Sequence, residues 1–211
     1  DFEARKTSKE YLRYAVALEN KATINWQHFE PVKPTFTGTK TFAKFDLASV
    51  AEFIDWGPFF IAWEMGGKFP DILGDKVIGK EATKLYNDAK ELLHKIITES
   101  WLEAYGVIGF WPANSDEKDT VSVLLEQDGP DEVIHLEFLR QQVKKASGQP
   151  NLSLADFIAP AASAKQDYIG AFAVTISGIE PHIKSFEAQH DDYSKIMLQA
   201  IADRLAEAFA E

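Results

Sequence analysis

The chain has 211 residues, 45% of them hydrophobic and 26% charged, with a formal net charge of −11. That length can bury a sizeable core in a globular protein, while the acidic balance argues against nucleic acid as a partner, since phosphate binding needs Lys and Arg in excess. The absence of cysteine excludes disulfides, thiolate metal sites and cysteine nucleophiles, and no apolar run approaches the roughly 18 residues of a membrane span.

Residues 3–21 read as a helix, with Leu12, Ala15, Val16 and Leu18 near one stripe. The charged start "DFEARKTSKEYLRYA" is no signal peptide, so the cytoplasm is the expected compartment. Beginning at Asp rather than Met, the chain reads as a piece of something longer. "NWQHFEPVKPTFTGTK" follows as an extended connector, and a domain is expected to begin near Pro34. In "FDLASVAEFIDW", Asp46 is a plausible N-cap for a short helix. Pro58 then opens a second helical piece, which "GGKFPDIL" breaks. Gly79 to Thr98 is the first long helix: Ala82, Leu85, Tyr86, Ala89, Leu92, Leu93, Ile96 and Ile97 keep a helical period.

The middle of the chain is strand-like. "YGVIGFWPAN" is an apolar run ended by proline, read as a strand buried on both faces. "DTVSVLLEQ" and "DEVIHLEF" flank "DGP" and predict an antiparallel pair joined by a turn. "HLEFLRQQVKKA" is expected to turn helical, and "GQPNLSLADFIAP" to be a loop with a short helix capped near Ser153. "DYIGAFAVTISG" reads as a second core strand, and everything from Pro181 onward as one long amphipathic helix. No repeat is visible, there is no steady βαβ alternation, and no glycine-rich loop follows a strand. The pattern predicts an α+β fold with an antiparallel or mixed sheet and long helices at its edges.

Fifteen Phe and five Trp imply a thick aromatic core or a flat ligand surface. The densest polar cluster is "EAQHDDY", Glu187 to Tyr193. Imidazole and carboxylates suit divalent ions, but adjacent helical positions point apart, so a solvated helix start or a polar docking surface is the better reading. No two of the five His have the spacing of a helical metal pair, and no "GxSxG" elbow exists. Asp203 and Glu207 lie four apart, on one face of the final helix, where they form either a solvated face or an acidic patch for a partner. In "FIDWGPFF", Asp55 sits among aromatic and branched apolar residues. A carboxylate there needs a partner: it either caps the turn at Gly57 and Pro58 or awaits a cation, and the residues alone leave both open.

"FIDWGPFFIAWEMGGKFPDIL", "GVIGFWPANSD", "LADFIAPAASAKQDYIGAFAVT" and "FEAQHDDYSKIMLQAIADRLAEAFAE", taken together and in order, resemble the activation domain of cobalamin-dependent methionine synthase. The resemblance covers residues 34–211, and residues 1–33 resemble the helical linker from the preceding cobalamin module. It implies a C-shaped single α+β domain around a twisted antiparallel sheet. It further implies S-adenosylmethionine binding and a role in the reductive methylation of inactive cob(II)alamin to methylcobalamin, with flavodoxin or an equivalent as electron donor. Cobalamin would belong to the neighbouring module, and the zinc of the parent methyltransferase would lie outside this chain. Asp55 matches the family's "DW" aspartate, which contacts the amino-acid end of S-adenosylmethionine. The resemblance also places Asp203 and Glu207 along the groove, Glu207 nearer the ligand and Asp203 facing the cobalamin module, both uncompensated in the free chain. No residue here is assigned a catalytic or metal-binding role. The family's later "RxxPGYP"-like segment is absent, so the chain reads as an activation domain incomplete at its C-terminus. The alternative is a docking module that keeps the fold but does not bind S-adenosylmethionine by itself.

Overall fold

The computed structural model describes residues 9–125 and 132–211. The fold is α+β. In chain order it runs α1 (Tyr14–Glu19), β1 (Gly38–Phe45), α2 (Leu47–Ala51), α3 (Gly57–Ala62), α4 (Gly79–Thr98), β2 (Glu103–Ser115), β3 (Thr120–Leu125), β4 (Glu132–Glu137), β5 (Asp167–Ser177), α5 (Ile179–Ala188) and α6 (Asp192–Ala210). The five strands form one sheet in the order β1-β2-β3-β4, with β5 also paired to β2. Contacts divide the chain into two compact units.

One unit comprises Lys40–Ile108 and Phe172–Glu211. Its core is helical. Asp46 caps α2, accepting from the Ala48 and Ser49 amides at 3.2 and 3.1 Å, as the sequence predicts. Pro58 sits in the first turn of α3, where its missing N–H costs nothing. α4 has the predicted limits and turns Ala82, Leu85, Ala89, Leu93 and Ile96 inward. They pack with Val50, Phe59 and Phe60 and with Met197, Leu198, Ile201 and Leu205 of α6 into one apolar cluster. The final segment is not one helix. It breaks between α5 and α6, where His190 takes a left-handed φ of 57° and Asp191 caps α6 by accepting from the Ser194 amide at 3.0 Å.

The other unit holds the described residues of 1–39 and 109–171. β2 and β3 are antiparallel with Ala113 opposite Val123, and β3 and β4 with Val121 opposite Leu136. Alternation turns Ala113, Val121 and Val123 into a small second core. The expected "DGP" turn, residues 128–130, lies outside the described residues, as does the first part of the expected helix 3–21. Within the described part that helix is only α1. Ser153 opens a short 3-10 turn, Leu154–Phe157, as expected.

Three expectations are corrected. "HLEFLRQQVKKA" is not helical: it completes β4 and runs on extended, with Val143 bridged to Tyr11. β2 is not ended by Pro112 but continues to Ser115. β2 and β5 are not buried on both faces: most of β2 is half-buried, and Gly170 to Ala173 of β5 are exposed. Gly109 and Gly170 do mark close approaches, but to aromatic rings rather than to backbone. A Cβ at Gly109 would run into the Trp111 ring, and one at Gly170 would fall 2.7 Å from the Phe110 ring.

Candidate functional site

The turn "FIDWGPFF" joins α2 to α3. Asp55 Oδ1 accepts from the Gly57 amide at 2.8 Å, which fixes the turn that lets Trp56 fold inward. Trp56 meets Phe59 and Tyr86 edge to face, at centroid distances of 5.3 and 5.0 Å, a favourable geometry for ring quadrupoles. Phe59 and Phe60 behind it are fully buried. Asp55 itself is exposed rather than held among these rings. Among the described residues it has no Lys, Arg or His partner, and Oδ2 makes no hydrogen bond. Both roles left open by the sequence therefore remain compatible at this residue: one oxygen caps the turn and the other makes no hydrogen bond among the described residues.

The same unit contains an apolar cavity of about 440 Å³. Phe42 and Phe45 of β1, Phe53 beyond α2, Phe172 of β5 and Phe209 of α6 line it. Phe45 and Phe209 stack at 5.1 Å. Gly106 contributes room by lacking a side chain, since a Cβ there would stand 3.1 Å from the Phe209 ring. Ser49 and Glu211 supply the polar side chains of the lining. This is the composition of a small-molecule pocket, mostly apolar with few polar groups. Sequence reasoning did not locate it. The signal is present in the Phe excess and in the alternation "GTKTFAKF" of β1, whose first three residues close the stretch expected to be a connector.

Asp55, Asp203 and Glu207 do not line this cavity, but Phe53 and Ala208, close to two of them in the chain, do. α6 packs against both α2 and α3, the helices that bracket Asp55. Asp203 is exposed and unpaired among the described residues. Glu207 is not uncompensated as expected: Arg204 grips it with two bonds of 2.6 and 2.8 Å. Among the described residues, no hydrogen bond joins the three carboxylates to one another.

"EAQHDDY" is the helix break itself. Lys195 reaches back to Glu187 at 3.3 Å and to Asp192 at 3.4 Å, and no group of three His, Asp or Glu among the described residues could hold a metal. Nearby, the Tyr193 hydroxyl donates to Asp88 of α4 at 2.7 Å. Burial first, then that bond and the carboxylate charge, push the Tyr193 phenol up to about 12. No described helix is long and apolar enough to cross a membrane.

Residues 46–211 match the family model described as vitamin B12 dependent methionine synthase, activation domain. The chain is also similar to a solved structure described as "Crystal Structure of the MetH Reactivation Domain bound to AdoHcy", at 41% identity and a TM-score of 0.87. The match covers 95% of this chain and 61% of that one.

Proposed function

Because the chain belongs to the family of vitamin B12 dependent methionine synthase activation domains, we propose that it binds S-adenosylmethionine and supports the reductive methylation of cob(II)alamin to methylcobalamin. The observation that carries this reading is the 41% identity, over 95% of the chain, to a reactivation domain holding AdoHcy. AdoHcy is S-adenosylmethionine without its methyl group, the molecule that methyl donation leaves behind. On this reading residues 34–211 are the activation domain and residues 1–33 lead in from the cobalamin module, which is the partner within the parent methyltransferase. Flavodoxin or an equivalent donates the electron, in the cytoplasm. The cobalamin and zinc of the parent enzyme sit on other modules, and this chain positions the methyl donor.

The residues present suit that substrate. The apolar cavity can take an adenosyl group, and Asp55 Oδ2 is free to accept from the ammonium of the amino-acid end, a charge-assisted hydrogen bond. Glu207 would lie toward the ligand and Asp203 toward the cobalamin module, on the helix that packs against both sides of Asp55. The Arg204–Glu207 pair lies within one helix turn, so a ligand that reaches Glu207 would compete with Arg204 for that carboxylate.

Calorimetric titration of S-adenosylmethionine into the chain tests the reading. Saturable binding is expected, weakened roughly ten- to a hundredfold by Asp55→Ala, the scale of a lost charged hydrogen bond. A wild-type chain that takes up no ligand overturns the reading. An unchanged affinity in D55A removes Asp55 from the site and leaves it only the turn.

A further inference from the structure

We infer that residues 10–30 are a docked strap of the sheet unit, latched by Asn20 and anchored on a buried ion cluster, rather than a free connector. The strap begins on the extended stretch after β4. The Leu12 amide donates to the Gln142 carbonyl at 2.7 Å, the Lys144 amide to the Glu10 carbonyl at 2.9 Å, and Lys144 Nζ reaches the Glu10 carboxylate at 2.9 Å. α1 then turns Ala17 into the protein at 0% exposure.

The latch follows at the end of α1. The Asn20 side-chain amide donates to the Gln149 carbonyl at 3.0 Å and to Asn151 Oδ1 at 2.8 Å. The Asn151 amide returns a bond to the Asn20 carbonyl at 2.8 Å. Asn151 is itself fully buried, and its Nδ2 is taken by the Gln141 and Val143 carbonyls at 2.8 and 3.0 Å. A buried amide with every bond assigned has little freedom to move.

Behind the latch stands Arg140, its side chain at 0% exposure, paired with Asp119 and Asp156 at 2.7 Å each. Arg140 also donates to the Asn151 carbonyl at 2.7 Å, so the charge cluster fixes the residue that the strap plugs into. Beyond it, Lys21 Nζ meets the Glu117 carbonyl at 2.6 Å, and Lys165 holds the Phe29 carbonyl at 2.7 Å and Glu30 at 2.6 Å. Lys21 to Ile24 line a cavity of about 200 Å³ together with Ser115 and Asp156.

The docking stands on these bonds alone. Its bearing on a preceding cobalamin module rests on the reading given above: with residues 10–30 fixed, residues 31–34 are not the joint at which such a module swings. Amide exchange measured by NMR on the whole chain tests it. Leu12, Lys144 and Asn151 are expected to be protected, and Asn20→Ala, a substitution at an exposed position, to speed their exchange about tenfold while Val121 and Val123 stay slow. Unprotected amides in the wild type, or unchanged exchange in N20A, overturn the strap. Neither outcome depends on S-adenosylmethionine, so failure of the ligand titration with these amides protected counts against the functional reading alone.

Discussion

A guanidinium with no access to solvent has to be matched by charge, and Arg140 is matched twice, by Asp119 and by Asp156. Burial on its own pushes the Asp156 carboxyl up, but the Arg140 hydrogen bond, the Ser153 amide and the Arg140 charge outweigh it and leave the carboxyl below its ordinary value. An unfolded aspartate takes up its proton near pH ~3.9, before the folded Asp156 does. The stability it supplies is therefore complete above that pH and is lost as the pH falls through the lower, folded-state value. Asp156→Asn leaves Arg140 partly unmatched and is expected to cost roughly 3–5 kcal/mol at neutral pH. It is also expected to flatten the acid limb of stability below about pH 4. Urea unfolding across that range checks both, and an acid limb as steep in D156N as in the wild type contradicts this account. None of this was legible in the sequence, because the partners of Arg140 lie 16 and 21 residues away, and Arg140 itself falls in a stretch expected to be helical. Asp46 was legible because a cap acts on amides two and three residues on. Asp55 was half legible for the same reason: its bond to the Gly57 amide is local, whereas a ligand leaves no local trace.

Elements with a full hydrophobic period are legible, and those settled by a distant partner or a competing cap are not. α4 has a full helical period and was predicted at its observed limits. Residues 138–146 have helix-forming side chains, yet the Gln141 and Lys144 amides are taken by Leu152 and Glu10, and tertiary bonds override propensity. The last segment reads as continuous helix until a cap competes: Asp191 draws the Ser194 amide and His190 turns left-handed, so α6 starts afresh. Its first turn is then clasped to α4 by Tyr193 and Asp88. With the phenol raised to about 12, the folded chain favours its neutral form. Stability from this clasp is full below about pH 10, where an unfolded tyrosine ionises, and is lost as the pH rises toward the folded value. Tyr193→Phe is expected to remove that part of the alkaline loss, along with the last phenolate step in an absorbance titration. A last step that persists in Y193F assigns it to another tyrosine and refutes the clasp.

Across the whole molecule, the α+β class and the β3–β4 pairing were readable, but the setting of β2 and β5 was not. An apolar run has the same pattern whether it faces packed side chains or an open cavity, so Ile108, Phe172 and Val174 were read as core although they line the cavity. The Phe excess divides likewise, Phe59 and Phe60 to the core and the rings around Gly106 to the cavity. That division has a calorimetric consequence. Removing apolar surface from water makes the heat capacity of binding negative. A ligand held only by Asp55 at its exposed turn would bind with an enthalpy that hardly changes with temperature. One whose adenosyl group enters among Phe42, Phe45 and Phe209 would bind with an enthalpy that grows steadily more exothermic on warming. Titrations at several temperatures thus locate the ligand, and we expect a steep negative slope in the wild type. Gly106→Val, which puts a side chain where the cavity now opens, is expected to flatten it, and a slope unchanged by that substitution would put the adenosyl group elsewhere.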